Sequence, residues 1–185
     1  MTSSLLAIDV VMARAGGATV ALILLIGAID KLRDRELFEA VVDHYRILPT
    51  GIVNRFARTL PLAEIAAAAL LLWPAARLLG ATLSIGLLAL FSGAIVVNLL
   101  RGRRDVDCGC GGASGRQPLS WWLVLRNAVL AFMALAGASD GVMRDMAWLD
   151  GFTTIAATLA LLALYAFFNQ LGANAPRLQS LRRQA

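Results

Sequence analysis

Apolar residues along this chain gather into runs of membrane length separated by short polar stretches. A spanning helix needs about 20 mostly apolar residues, and five segments meet that pattern: Met12–Ile29, Pro61–Leu79, Ala81–Leu100, Leu119–Ala138 and Phe152–Leu171. Asp9 and Arg14 blur the start of the first span, which reaches back as far as Leu5, so the count is four to five. The second and third spans have almost nothing between them and predict a tight helical hairpin. Trp73-Pro74 marks a kink or an early end of the second span. Asp30–Arg58 has a different pattern. Leu37, Phe38, Val41, Val42 and Tyr45 recur at helical spacing among charges, predicting an amphipathic helix that ends before Pro49-Thr50-Gly51. It lies either at the membrane interface or in a solvated loop. The residues after Gly172 read as a short, polar, frayed tail, 172–185. The predicted fold is an all-α integral membrane bundle in a single domain, 1–185.

Composition supports this reading. The chain has 185 residues, 59% hydrophobic and 16% charged, with a mean hydropathy of +0.72, against roughly 45–50% apolar residues in soluble domains. The net charge of +5 does not point to nucleic acid, because no basic stripe is interleaved with aromatics. Basic residues flanking apolar spans act as topology determinants instead. With five spans, the first long loop, the loop after the third span and the C-terminal tail share one side and hold thirteen Lys and Arg residues. The opposite side holds three, Arg14, Arg77 and Arg144. The positive-inside rule places the thirteen in the cytoplasm. No cleavable signal peptide is evident: the first apolar stretch runs on toward Ile29 without a small-residue cleavage site.

The candidate chemistry lies between the third and fourth spans. Asp107-Cys108-Gly109-Cys110-Gly111-Gly112 contains the only two cysteines of the chain. A disulfide between residues two apart closes a small, strained ring that is easily reduced. It is a poor structural staple and a good exchange partner. The glycines give the backbone freedom such a turn needs. Arg101, Arg103, Arg104 and Arg116 favour the reactive thiolate, while Asp105 and Asp107 oppose it. Two alternatives use the same atoms. One is a soft metal such as Cu(I) on both thiolates; a closed zinc site needs four ligands, and the one histidine, His44, lies in a different loop. The other is a pair of inert surface cysteines. A non-catalytic assembly subunit is a further reading of the whole chain.

Polar residues within the spans gather toward the leaflet of this loop: Asp30 and Lys31, Glu64, Asn98, and Arg126 with Asn127. An ionisable group in the bilayer is costly and faces a partner inside the bundle. Glu64 and Arg126 are therefore the expected buried pair, with snorkelling to the headgroups as the alternative. Asn98 and Asn127 are expected to join helices. Trp121 and Trp122 are placed to anchor an interface or to wall a quinone site, although no cofactor motif is present. Tyr45 and His44 are weaker candidates for a proton path. No Ser-His-Asp set, phosphate-binding loop or paired-carboxylate site is visible.

Several of these residues match a known pattern. Asp30-Lys-Leu-Arg-Asp34, Phe38, Tyr45, Leu48-Pro49, Leu60-Pro61 and Glu64 resemble the opening of the DoxX-like membrane proteins. Asn98, Arg101-Gly102, Asp107-Cys-Gly-Cys-Gly111 and Leu125-Arg126-Asn127 are more specific and resemble the methylamine utilisation MauE family, over roughly residues 14–138. The resemblance implies a protein of the bacterial cytoplasmic membrane that serves maturation of the disulfide-rich methylamine dehydrogenase. It implies Cys108 and Cys110 as the exchanging pair, supported by Glu64, Asn98, Arg101, Asp107, Arg126 and Asn127. The implied partners are a thioredoxin-like protein similar to MauD and an exported disulfide-containing client, both outside the membrane, on the side opposite to the one the charge rule assigns to the loop. Gly111 stands where the family loop usually has an aromatic, which loosens the loop or alters partner choice. The broad family also occurs without methylamine metabolism, so the client is left open.

Overall fold

The computed structural model describes residues 9–103, 106, 118–139 and 148–182. Six α-helices form it: α1 (Val10–Arg33), α2 (Arg35–His44), α3 (Thr50–Leu72), α4 (Arg77–Leu100), α5 (Trp121–Ala138) and α6 (Trp148–Arg182). A 3-10 turn, Pro74–Ala76, links α3 to α4. The chain is an all-α membrane bundle. Four of the described helical stretches are long and apolar enough to cross a bilayer: Val10–Arg33, Pro74–Leu100, Trp121–Ala138 and Trp148–Asn174.

Local chemistry sets the helix ends. Asp9 caps α1 by accepting from the Val11 N–H at 2.8 Å. Asp34 ends α1 and caps α2, accepting from the Leu37 N–H, so the two helices share one acidic hinge. α2 ends at Tyr45 and Arg46, where Arg46 takes a positive φ of 49°. As predicted, the amphipathic helix stops before Pro49. It begins at Arg35, because residues 30–33 belong to α1, and residues from Thr50 onward start the next helix.

That start is the main correction to the predicted elements. Pro61 reads as a helix N-terminus, yet it lies inside α3, buried. Residues 50–60 extend the helix by three turns. Arg55, Arg58 and Glu64 keep α3 outside the purely apolar class, but its 23 residues at about 1.5 Å each still reach roughly 34 Å. α3 packs between α1 and α4. It ends at Leu72, with Trp73 as C-cap, as the Trp73-Pro74 pair predicted. The hairpin that follows is tight: a Cβ on Gly80 of α4 would run into the backbone of Leu71. At the same end of the bundle α1 and α5 also cross closely. A Cβ on Gly137 would lie 2.8 Å from the Gly17 Cα, a small-residue crossing of the kind membrane helices use. α6 does not end near Gly172 as predicted; it continues as helix to Arg182, through Gly172 and Pro176.

The core joins α1, α3, α4 and α5 through Val20, Leu24, Leu60, Leu71, Leu88 and Leu130, with small residues such as Ala67, Ala68 and Ala134 between them. Large apolar residues cover the outside, among them Leu62, Leu79, Phe132, Phe152 and Leu159. An outer surface of this kind suits lipid rather than water.

Candidate functional site

A buried ion pair lies within the bundle. Lys31 Nζ donates to both carboxylate oxygens of Glu64, at 2.8 and 3.0 Å, and to the Gly27 carbonyl at 3.3 Å. The two side chains are only 7% and 2% exposed. The ammonium also lies 5.6 Å from the Phe38 ring centroid and 5.3 Å from that of Phe91, close enough for cation–π attraction. Three hydrogen-bond acceptors and two rings thus meet a charge that would be expensive to bury alone. The sequence expectation gave Glu64 to Arg126 and overlooked Lys31. The later start of α3 explains part of this, because it puts Glu64 past the midpoint of that helix. The flexibility of lysine explains the rest: from near the end of α1 its side chain folds back by one helical turn, to the Gly27 carbonyl.

Arg126 lies nearby in α5. It donates to Asn169 Oδ1 of α6 at 2.8 Å and to Asn127 Oδ1 at 3.4 Å, and its guanidinium sits 5.6 Å from the Tyr165 ring. Asn127 donates to Ser92 Oγ at 3.2 Å, joining α5 to α4 as the sequence suggested. Asn169 was missed, although a polar residue within an apolar run is itself a signal. Lys31, Glu64, Asp30, Arg126, Asn127 and Asn169 all border one cavity of about 580 Å³. Two cations and two carboxylates line it, so it carries no large net charge. Apolar side chains, among them Ile23, Leu24, Leu130 and Leu162, make up most of the rest of its wall.

A second cavity, of about 280 Å³, lies against α2, α3 and α4. Its walls include Phe38, Val42, Tyr45, Phe56, Phe91 and Ala94, and Lys31 is the one charged residue among them. Lys31 and Phe91 border both cavities, so the ion pair stands at the partition between the two.

Of the remaining predicted residues, Asn98 and Arg101 lie at the end of α4. Asn98 is fully buried; it donates to the Ala94 carbonyl and accepts from Arg103 Nη1 at 3.3 Å. Arg103 also reaches the Tyr45 carbonyl at 3.4 Å, and Arg101 donates to the Arg46 carbonyl at 3.2 Å. The two arginines therefore fasten the end of α4 to the end of α2. Beside them the Leu119 N–H donates to the Val106 carbonyl at 3.3 Å. Val106 and Leu119 pack with Tyr45, Ile95, Leu99 and Leu123. Val106 and Leu119, which flank the cysteines in sequence, thus sit together at one place on the bundle. Asp107, Cys108 and Cys110 lie outside the described residues. Among those described, no group of three His, Cys, Asp or Glu side chains is arranged to hold a metal. Trp122 packs on Phe168 of α6, with ring centroids 5.9 Å apart, and neither it nor Trp121 borders the two cavities.

Comparison with known proteins points the same way over most of the chain. The family model described as methylamine utilisation protein MauE matches residues 9–140. The MauE protein of Paracoccus denitrificans is 41% identical over 119 residues, 64% of this chain and 64% of its own length. That of Methylophilus methylotrophus is 44% identical over 120 residues, 65% of this chain and 61% of its own length. That of Methylorubrum extorquens is 40% identical over 117 residues, 63% of each. The matched stretches cover less than two thirds of these curated relatives. No solved structure matches the chain.

Proposed function

The chain belongs to the MauE family, and we propose that it serves methylamine utilisation as a membrane thiol–disulfide exchange protein. In this reading Cys108 and Cys110 cycle between dithiol and disulfide. A thioredoxin-like protein is the exchange partner, and an exported disulfide-bearing protein is the client, at the bacterial cytoplasmic membrane. The observation that carries the reading is the joining of Val106 to Leu119, which flank both cysteines in sequence. The stems at Val106 and Leu119 are bonded to each other and seated on Tyr45, Ile95, Leu99 and Leu123. Arg101, Arg103 and Asn98 brace that seat. In this reading a partner protein approaches the bundle beside that seat.

In the exchange step a thiolate of the reduced partner attacks one sulfur of the Cys108–Cys110 disulfide. A mixed disulfide forms and the other cysteine leaves as thiolate. A second partner thiol then resolves the mixed disulfide, leaving the partner oxidised and the pair reduced. The two test variants are Cys108→Ser and Cys110→Ser. One of the two is expected to accumulate a mixed disulfide with a thioredoxin-like protein, seen as a reducible band on a non-reducing gel, and the double variant none. A double variant that supports methylamine growth as well as the native chain does would overturn the proposal.

A further inference from the structure

We infer that the apolar cavity beside α2 binds one anionic phospholipid, an acyl chain lying inside and the headgroup phosphate meeting Arg46 and Arg101 at the rim. The inside of the cavity asks only for hydrocarbon. Apart from Lys31 and Tyr45 its wall is apolar, and Lys31 Nζ already donates to Glu64 and to the Gly27 carbonyl. A space of about 280 Å³ with such a wall has little attraction for water. It opens toward lipid. Ile47, Leu90 and Val97 border it and are also exposed, and the last two belong to a helix long and apolar enough to span the bilayer. Leu90, Ala94 and Val97 of the wall follow one another on one face of α4, over about 10 Å of helix. A wall extended along the helix suits an acyl chain parallel to it.

Positive charge stands at one end of this wall. Arg101, the C-cap of α4, lies one helical turn beyond Val97 and donates to the Arg46 carbonyl. Arg103 donates to the Tyr45 carbonyl. Tyr45 and Ile47, on either side of Arg46, both border the cavity, so the guanidiniums of Arg101 and Arg103 reach its rim. Arg46 and Arg101 are exposed. A guanidinium has five N–H donors, and the Arg46 carbonyl takes only one bond from Arg101. Among the described residues at the ends of α2 and α4, these three arginines face a single carboxylate, Asp43. Arginine forks match phosphate oxygens, and basic pockets at the ends of spanning helices hold anionic headgroups. A zwitterionic headgroup brings a cation of its own to the same arginines, which offsets the gain. Tyr45 and Ile95 also belong to the cluster that seats Val106 and Leu119, so the bound lipid backs that seat.

The test uses the full chain, delipidated in detergent and titrated with phosphatidylglycerol or with phosphatidylcholine of the same acyl chains. Native mass spectrometry counts the lipids retained. The native chain is expected to hold one phosphatidylglycerol at least about tenfold more tightly than phosphatidylcholine. Arg46→Gln/Arg101→Gln is expected to bring the two lipids level. Gly93 borders the cavity, and a Cβ added there meets nothing within 4 Å, so Gly93→Phe sets a ring into the space without displacing an atom at its base. It is expected to weaken phosphatidylglycerol binding at least about tenfold. Gly86 has equally open surroundings in the same helix but does not border the cavity; Gly86→Phe is expected to bind as the native chain does. Circular dichroism of each variant checks that the helices persist. Equal retention of the two lipids by the native chain, a preference that survives the arginine substitutions, or equal effects of Gly93→Phe and Gly86→Phe would each overturn the inference.

Discussion

At the scale of single residues the Lys31–Glu64 pair carries the highest stakes. Both charges are buried and depend on each other, and the Lys31 ammonium depends also on the Gly27 carbonyl and on two aromatic rings. Removing one partner leaves an uncompensated buried charge, whereas removing both can be close to neutral. Lys31→Met alone is expected to lower unfolding stability by about 3–5 kcal/mol, and Lys31→Met/Glu64→Leu to recover most of that loss. Thermal unfolding midpoints of the variants in one detergent decide the matter; equal losses for the single and the double variant would show that the pair carries no such coupling. Half of this arrangement was legible in the sequence. Glu64 stands out because a carboxylate within an apolar run demands a partner. The identity of the partner was not legible, since Lys31 is separated from Glu64 by 33 positions and lies beside Asp30, where it reads as a boundary charge. Asn98 shows a similar limit. Its burial was foreseeable, but its bond to Arg103 arises from the turn after α4, which no periodicity encodes.

At the scale of elements, close helix contacts set the architecture, and glycine marks where they occur. Gly80 admits the Leu71 backbone, while the Cβ positions of Gly86 and Gly93 in the same helix meet nothing within 4 Å. Gly80→Ala is therefore expected to destabilise by about 1–3 kcal/mol or more through overpacking against backbone. Gly86→Ala is expected to be neutral or to gain up to about 1 kcal/mol from reduced chain freedom. Comparing their unfolding midpoints separates close packing from helix propensity, and an equal effect at both sites would refute this account of the hairpin. The hairpin itself was readable from Trp73-Pro74 and the near absence of a linker. The start of α3 was not. A proline at the head of an apolar run reads as a first helical residue, and Arg55 with Arg58 looks like a polar loop. In the structure the neighbours α1, α2 and α4 override that local signal, and Asn54 in the added turns donates to both carboxylate oxygens of Glu39 in α2 at 3.0 Å.

At the scale of the whole molecule, two lines of reasoning place the cysteine segment on opposite sides of the membrane: the thirteen basic residues favour the cytoplasm, and disulfide chemistry on exported proteins belongs outside it. The fold narrows the question to a single end of the bundle. The ends of α2 and α4 are tied by Arg101 and Arg103, and the start of α5 joins them through Leu119 and Leu123. His44, exposed at the end of α2, therefore marks the end where Val106 and Leu119, the residues flanking the cysteines in sequence, lie. Ala75, exposed in the turn between α3 and α4, marks the other end, provided that α3 crosses despite Arg55, Arg58 and Glu64. In a Cys108→Ser/Cys110→Ser background, His44→Cys and Ala75→Cys are expected to react with a membrane-impermeant maleimide from opposite faces of the membrane. Reaction of both from one face would mean that α3 and α4 do not traverse as a hairpin. With that alternation established, the native cysteines can be read directly. If intact cells label at Cys108 and Cys110 only after reduction, an oxidised pair faces outward and the charge asymmetry does not govern this protein. If labelling requires permeabilised cells, the pair faces the cytoplasm, and direct oxidation of an exported client is refuted.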